Sequence, residues 1–496
     1  MRLEHITAME AGYTMGMQPD GRELLVVCIK GTFTIPEDGG EPALAKEQVP
    51  LFEADGFTGE PGLSAPLYES DYAPCKPFCD VLLNGSAHAP DGQPATKVPV
   101  SLQVGPISKT FNVVGHRVWK NGLLSFKPSK PLPFMRMPIS YDTAFGGVDS
   151  NHKNPKKHAA WTQNPVGVGF HTILKSAFVK DTPLPNTEER GTSVSKPNGK
   201  YRPMSFGPMG RGWQPRSALA GTYDQNWMDN VFPFLPADFN DAYFQAAPED
   251  QQMPYPEEGD TVGLLNLTPE GRTIFRLPAK KIMVTFFLKN DEEKDIPAML
   301  DTIMMETDKR IFTLTWRASL PLKKNDRVLT ESNSNGFVPG EAGAAVLLSS
   351  ANQNANGHMT IGGIGFGQEP AFIDSGEPLR AEGLVQAFKE AFSASGLSMG
   401  DMNCRISDAN GEQYKFKEGD LAVTRTLRNH KGEIEILHPV DCVGEIGAAI
   451  VPCIMCVAEA AARKGYSWGN NALCHFGNDN GERAVLILTS PVKGGI

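Results

Sequence analysis

The order of apolar and polar residues divides this chain into two regions. In the first, ELLVVCIKGTFTI (residues 23–35) is rich in β-branched and aromatic residues and stops at the turn cluster PEDGG, which predicts a strand. KVPVSLQVGPISKTFNVVGHRVW (97–119) predicts two or three more short strands. TIMMET and IFTLTWRASL flank Asp308-Lys309-Arg310 and predict a hairpin. Between these lies a proline-rich, aromatic middle, roughly residues 125–260, with neither a helical nor a strand period. Its Trp and Phe content predicts ordered irregular structure, and loops this long are usually functional or tied down.

The second region alternates strand-like and helix-like runs. GAAVLLSS (343–350) and MTIGGIGFG (359–367) predict strands. PLRAEGLVQAFKEAFSASG puts Leu384, Ala387, Phe388, Ala391 and Phe392 on one helical face, with Gly396 as its stop. NCRISDANG predicts a strand running into a loop. GEIGAAIVPCIMCVAEAAARKG predicts a buried apolar helix ending at Gly465, and ERAVLILTSP a closing buried strand. Strand–helix alternation with continuous apolar strands predicts α/β layers. The expected fold class is therefore α+β and multi-domain. A β-rich domain would span residues 1–326 and an α/β domain residues 327–496, with the boundary in the polar stretch PLKKNDRVLTESNSNG.

Composition sharpens that division. Of 39 prolines, 33 precede residue 327, which suits turns and short strands there and longer elements afterwards. The net charge of −10 makes nucleic acid a poor partner, because phosphate neutralisation needs a concentrated basic face. One small basic cluster, His152, Lys153, Lys156, Lys157 and His158, reads as a solvated loop. No run approaches the ~18 apolar residues of a membrane helix, and MRLEHITAMEAGYTMGM does not resemble a signal peptide, so no membrane association and a cytoplasmic location are expected. The eight cysteines are then free thiols. The pairs Cys75/Cys79 and Cys453/Cys456 do not make a zinc pattern, and neither a metal nor a cofactor is expected.

Candidate chemistry is sparse. GxSxG, Walker, HExxH and DxDxDG patterns are missing, and GGIGFG (362–367) lacks a nucleotide-binding context. Asp71, Asp142 and Asp224 read as turn caps rather than as an acid site. Trp161, Trp213, Trp227 and Phe244 offer large rigid area and are the candidate partner-binding residues, against the alternative that they build the domain's own core.

Three segments of the second region resemble the C-terminal half of the thiolase and β-ketoacyl synthase superfamily. They are NSNGFVPGEAGAAVLL (Asn333 to Leu348), DCVGEIGAAI (Asp441 to Ile450) and HFGNDNGERAVLIL (His475 to Leu488). The resemblance implies a thiolase-like α/β domain, but its chemistry does not carry over. The family's nucleophile lies in an N-terminal half that this chain lacks. The two motif histidines fall at Asn410 and Glu445, so these are degenerate catalytic positions. A carboxylate at Glu445 would raise a nearby thiol's pKa, where a nucleophilic thiolate needs it lowered. The thiolase-like part thus reads as a pseudoenzyme, and the alternative is an acyl-thioester-processing enzyme with Cys442 as a displaced nucleophile.

The first region resembles the bacterial domain-of-unknown-function family 2169. The matching segments are YESDYAPCKPFCDVLLNGSAH, YDTAFGG, NPVGVGF, SFGP…GWQPR…AGTYD…W, FPFLPADFN and YFQAAPEDQ. Members are encoded beside type VI secretion genes, so the resemblance implies an adaptor or chaperone. Such a protein binds a toxic effector and loads it onto the VgrG or PAAR spike. A lone thiolase half would also leave a packing face open, to be covered by the first domain, by a client, or by a second copy in a homodimer.

Overall fold

A computed structural model describes residues 3–490, apart from Asp38, Leu124, 257–258, 289–292, 323–336, 351–357, Asp374, 430–431, Glu433 and 465–468. The expected boundary stretch, beyond its first two residues Pro321 and Leu322, and Gly465 therefore lie outside the described residues.

The first region is built from two antiparallel-rich sheets. One contains β1 (Glu10–Met17), β2 (Glu23–Thr34), β3 (Cys79–His88), β4 (Arg136–Ile139), β5 (Gln252–Met253), β6 (Ile282–Phe287), β7 (Glu293–Glu306) and β8 (Ile311–Pro321). Its order is β1-β2-β8-β7-β3-β4, with β5 on β3 and β6 on β7. The hairpin expected around Asp308 is β7–β8, closed by Arg310 in a left-handed conformation. The second sheet runs through Thr187–Glu189, Ile107–Val114, Lys97–Val104, Thr261–Leu265 and Arg272–Arg276.

Strict alternation sets how the sheets meet. In KVPVSLQV, Val98, Val100, Leu102 and Val104 are buried and face Val27, Ile29, Val81, Leu83, Leu314 and Trp316 of the first sheet in one continuous core. Each such side chain contributes roughly 1.5–3 kcal/mol relative to exposure. Strand β2 is buried on both faces: Leu25, Val27 and Ile29 enter this core, whereas Leu24, Val26 and Cys28 pack against Leu51 and Tyr72.

The second region is a five-stranded sheet of β9 (Thr360–Gln368), β10 (Cys404–Ser407), β11 (Glu435–Leu437), β12 (Asn471–Gly477) and β13 (Glu482–Thr489). The order is β9-β13-β12-β10-β11, and β13 runs antiparallel to its neighbours β9 and β12, while β12, β10 and β11 are mutually parallel. Helices α1 (Glu382–Ser395) and α2 (Gln413–Thr426) cover one face, and α3 (Ile450–Lys464) the other. Helix α1 lies directly on β9 because Gly363, Gly365 and Gly367 present bare backbone. A Cβ at Gly365 would sit 2.0 Å from the Ala387 carbonyl oxygen. Ile364 and Phe366 point to the opposite side and are exposed.

The two regions touch. The Arg380 guanidinium lies 4.2 Å over the Phe234 ring, Arg425 Nη2 donates to the Asn230 carbonyl at 2.7 Å, and Lys417 pairs with Glu23 at 2.7 Å.

Two expectations are corrected, and one element lay outside them. GAAVLLSS is not a strand: residues 337–350 are irregular, and Leu347 is 97 % exposed. Among the described residues, their contacts to other elements include an isolated bridge from Pro339 to Glu445 and a weak Cys456 contact to Ala345. Its residues suit a strand, but a strand needs a ladder partner, and among the described residues none pairs with it. The apolar helix is not buried either. In α3 only the stripe Ile450, Ile454 and Ala458 is covered; Cys453 is half-buried, and Cys456 and Val457 are exposed. Finally, α2 was not foreseen. Its buried face is Glu418, Gly419, Ala422 and Arg425, which carries almost no hydrophobic period.

Candidate functional site

Two motif segments of the first region, YESDYAPCKPFCDVLLNGSAH and YFQAAPEDQ, meet residues of β2, β7 and β8 in a buried polar network. Lys30 is ion-paired to Asp71 and lies 3.8 Å over the Phe52 ring. Asp71 also accepts from the Phe52 amide at 2.7 Å. Arg317 Nε donates to Asp301 at 2.6 Å, and its Nη1 to the carbonyls of Asp71 and Ala73 at 2.7 Å each. Asp80 is fully buried and accepts from Lys76 (2.8 Å), Gln245 (2.6 Å) and the amides of Ala246 and Ala247 (2.8 and 3.2 Å). Every carboxylate here has its acceptor capacity used, which is how a buried charge is held at acceptable cost. Burial pushes the Cys28 thiol up to about 11, so at neutral pH it is not a thiolate.

The three aspartates are not one site. Asp71 belongs to this network. Asp142 accepts from the Ala65 amide at 2.7 Å and from Thr58 at 2.6 Å, and Asp224 caps the turn of helix at Gln225–Asn230 through the Trp227 amide at 2.8 Å. The four candidate rings are likewise dispersed. Trp161 packs with Phe145 and Phe170, and Trp213, 7 % exposed, stands edge-on to Tyr141 in the protein's own core. Trp227 contacts Tyr223 and Phe232, and Phe244 contacts Phe239 and Tyr243.

In the second region the structure does bring two expected positions together. Asn410 follows β10 and Glu445 precedes α3, and Asn410 Nδ2 donates to Glu445 Oε2 at 2.7 Å. The Gly447 amide donates to the other Glu445 oxygen at 2.9 Å, and Lys415 Nζ lies 3.8 Å from Glu445 and 3.4 Å from Asp408. These residues floor an open cleft of about 1240 Å³, whose walls include Phe337, Phe366, Phe476, Ile450 and Val451. Burial raises the Asp408 carboxyl above its usual range, against the pull of Lys415 and the Gly477 amide. Deeper in, burial brings Glu418 up to about 7 although Arg483 Nε donates to it at 2.7 Å. His475 lies beside that pair, 5 % exposed, and burial together with nearby Arg405 lowers its pKa to about 3, so it is neutral.

Sequence reasoning reached Asn410 and Glu445 but missed Asp408, Lys415, Phe366 and His475. Asp408 and His475 stand inside segments already read, NCRISDANG and HFGNDNGERAVLIL. Lys415 and Phe366 had no signal, because one sits on the unforeseen helix and the other in a strand that reads as buried.

Among the described residues, neither a cysteine nor a histidine lines the 1240 Å³ cleft. Cys442 lies outside it, exposed in the helical turn Val440–Val443. Ser407 Oγ and His438 Nδ1 are 2.8 Å apart, but Ser407 is buried. No group of three or more His, Cys, Asp or Glu residues poised to hold a metal occurs among the described residues, and no helix there is long and apolar enough to cross a membrane.

Fold and site together define a strand-rich chain in which a two-sheet core carries a mixed α/β layer with an open, carboxylate-lined cleft. The chain belongs to the family described as "Uncharacterized protein conserved in bacteria (DUF2169)", whose model matches residues 20–317. No curated protein matches it. Solved structures similar to it include a ketosynthase in complex with its chain length factor from Xenorhabdus doucetiae (9 % identity, TM-score 0.25, 38 % of this chain and 44 % of that one). Others are the oxazolomycin ketosynthase domain KS7 of Streptomyces albus JA3453 (13 %, 0.23, 28 % and 32 %) and human mitochondrial 3-ketoacyl-CoA thiolase (19 %, 0.20, 27 % and 30 %). The likeness spans less than half the length of each of those chains.

Proposed function

We propose that this protein is a cytoplasmic, non-catalytic adaptor that holds a type VI secretion effector and delivers it to the VgrG or PAAR spike. The observation that carries the reading is the cleft floor. At the two positions where a condensing enzyme would need imidazoles, Asn410 and Glu445 are hydrogen-bonded to each other at 2.7 Å. A carboxylate neutralised by an amide, a backbone N–H and a lysine neither activates a thiol nor supplies an oxyanion hole. Family membership supports the adaptor role through the company that the family's genes keep. The exposed apolar side of α3, with Cys456 and Val457 facing solvent, is in keeping with a protein that contacts partners, a second copy included.

The test is affinity purification of the tagged full-length chain from its native cell, with mass spectrometry of what is retained. A stoichiometric effector or spike protein is the expected result. Recovery of the chain alone, with the secretion genes expressed, would sink the reading. Acyl-thioester hydrolysis lost on Cys442→Ala would point instead to the acyl-processing alternative.

A further inference from the structure

The cleft has a charge and shape that the adaptor reading leaves unused. Six carboxylates line it, from Glu390, Asp408, Glu412, Glu445, Asp479 and Glu482, against only Lys415 and Arg483. Arg483 is already held by Glu418 at 2.7 Å. Glu412 and Asp479 have no ion pair among the described residues, and Asp479 is exposed on the rim. Apolar side chains line it as well, with Phe366 62 % exposed. At about 1240 Å³ the cleft exceeds the ~300–1,000 Å³ that encloses a drug-sized ligand, and it is open along its length. A second observation points inward. His475 Nε2 is buried without a hydrogen-bond partner among the described residues. It lines a small inner pocket that shares Asp408, Lys415 and Phe476 with the cleft. An unused polar atom at the inner end of an open groove is a place where a ligand group makes a contact that the chain does not make with itself.

We propose that this cleft binds a cationic amphipathic segment of a protein partner. The segment's apolar side lies on Phe366, Phe476 and Val451, and its lysines or arginines meet Glu412 and Asp479. Charge complementarity selects this occupant: an acidic or phosphorylated segment would meet six carboxylates, while the two cations, Lys415 and Arg483, are already engaged by Asp408, Glu445 and Glu418. An amphipathic helix laid in such a groove presents apolar anchors three and four residues apart and cations on the flanks. The proposal rests on the binding-module reading and specifies what the module grips.

The experiment uses the full chain and two labelled peptides of about 15 residues, one with leucines at helical spacing and lysines elsewhere, the other with glutamates replacing the lysines. Binding is read by fluorescence anisotropy at low and high salt. The lysine peptide is expected to bind, and the glutamate peptide not. The double change Glu412→Lys/Asp479→Lys should weaken the lysine peptide at least about tenfold, and added salt should weaken it too. Phe366→Ser, on an exposed side chain, should weaken it without altering the fold. Glu41→Lys/Glu60→Lys, exposed in the first region, should leave it unchanged and so exclude attraction to the chain's overall charge. Equal binding of both peptides, no binding of either, or indifference to the cleft variants would overturn the proposal. If an identified effector or spike protein is captured equally by wild type and Glu412→Lys/Asp479→Lys, the adaptor reading stands and this inference fails. Cleft-dependent peptide binding with no effector recovered gives the reverse.

Discussion

The two regions treat charge in opposite ways. The first takes Lys30, Asp71, Lys76, Asp80, Asp301 and Arg317 out of water and pairs each of them under a covering loop. The second leaves six carboxylates lining an open cleft and leaves much of an apolar helix uncovered. A buried pair is costly to break and contributes rigidity; an open one is cheap to change and available to a partner. On the proposed reading, the first network is scaffolding and the second cleft recognises a partner.

The largest expected effect comes from breaking the first network. Asp80→Ala strands Lys76, a backbone amide pair and Gln245 in a dry interior. It should destabilise the protein by about 3–5 kcal/mol in urea or thermal unfolding. A loss no larger than that of a cleft variant such as Glu412→Gln would erase the distinction between the regions. Gly365→Val comes next. Its Cβ would meet the Ala387 carbonyl oxygen at 2.0 Å and the Ala391 amide at 2.7 Å, so α1 must move off β9 at a cost of about 1–3 kcal/mol.

A pH experiment probes the inner end of the cleft. His475 has its pKa lowered to about 3, so the stability of its neutral form is present above pH ~6.5 and is lost as pH falls. Wild type should lose about 1.4 kcal/mol per pH unit between pH 6.5 and the folded pKa relative to His475→Gln, or about 2 kcal/mol by pH 5. Glu418 acts with the opposite sign. Its carboxyl, raised to about 7, favours folding below pH ~4.5 and progressively less as pH rises toward 7. It is common to wild type and His475→Gln, so it cancels in that comparison. Parallel stability curves for the two proteins would mean that the His475 site is open to water.

The smallest effect is expected on the uncovered helix. Val457→Ser should change stability by no more than about 0.5 kcal/mol, as for other surface positions. A larger loss, accompanied by a fall in mass by sedimentation, would put a second copy against α3.

Much of the fold was legible because period and punctuation are local. The strands in ELLVVCIKGTFTI and KVPVSLQV, the hairpin through Arg310 and the helix ending at Gly396 all appear where alternation, heptad-like spacing and glycine stops placed them. The candidate site was legible only in part. Asn410 and Glu445 were found as motif positions 35 residues apart, but their hydrogen bond could not be read from either segment.

By itself, the sequence determined which stretches prefer strand or helix, that the first region would be rich in strands and turns, and that the second would alternate strand and helix. These follow from side-chain period, β-branching and the conformational limits of glycine and proline, which act within a few residues. Tertiary structure alone decided that GAAVLLSS would have no ladder partner and that α3 would be covered along one stripe only. It also decided that α2 would bury Glu418 and Arg425, and that Trp161, Trp213, Trp227 and Phe244 would disperse into separate ring clusters. Each of those outcomes depends on what stands on the other side of a residue. Hydrophobicity records a preference for burial, but burial itself requires a neighbour, and neighbours are set by contacts between residues far apart in the chain.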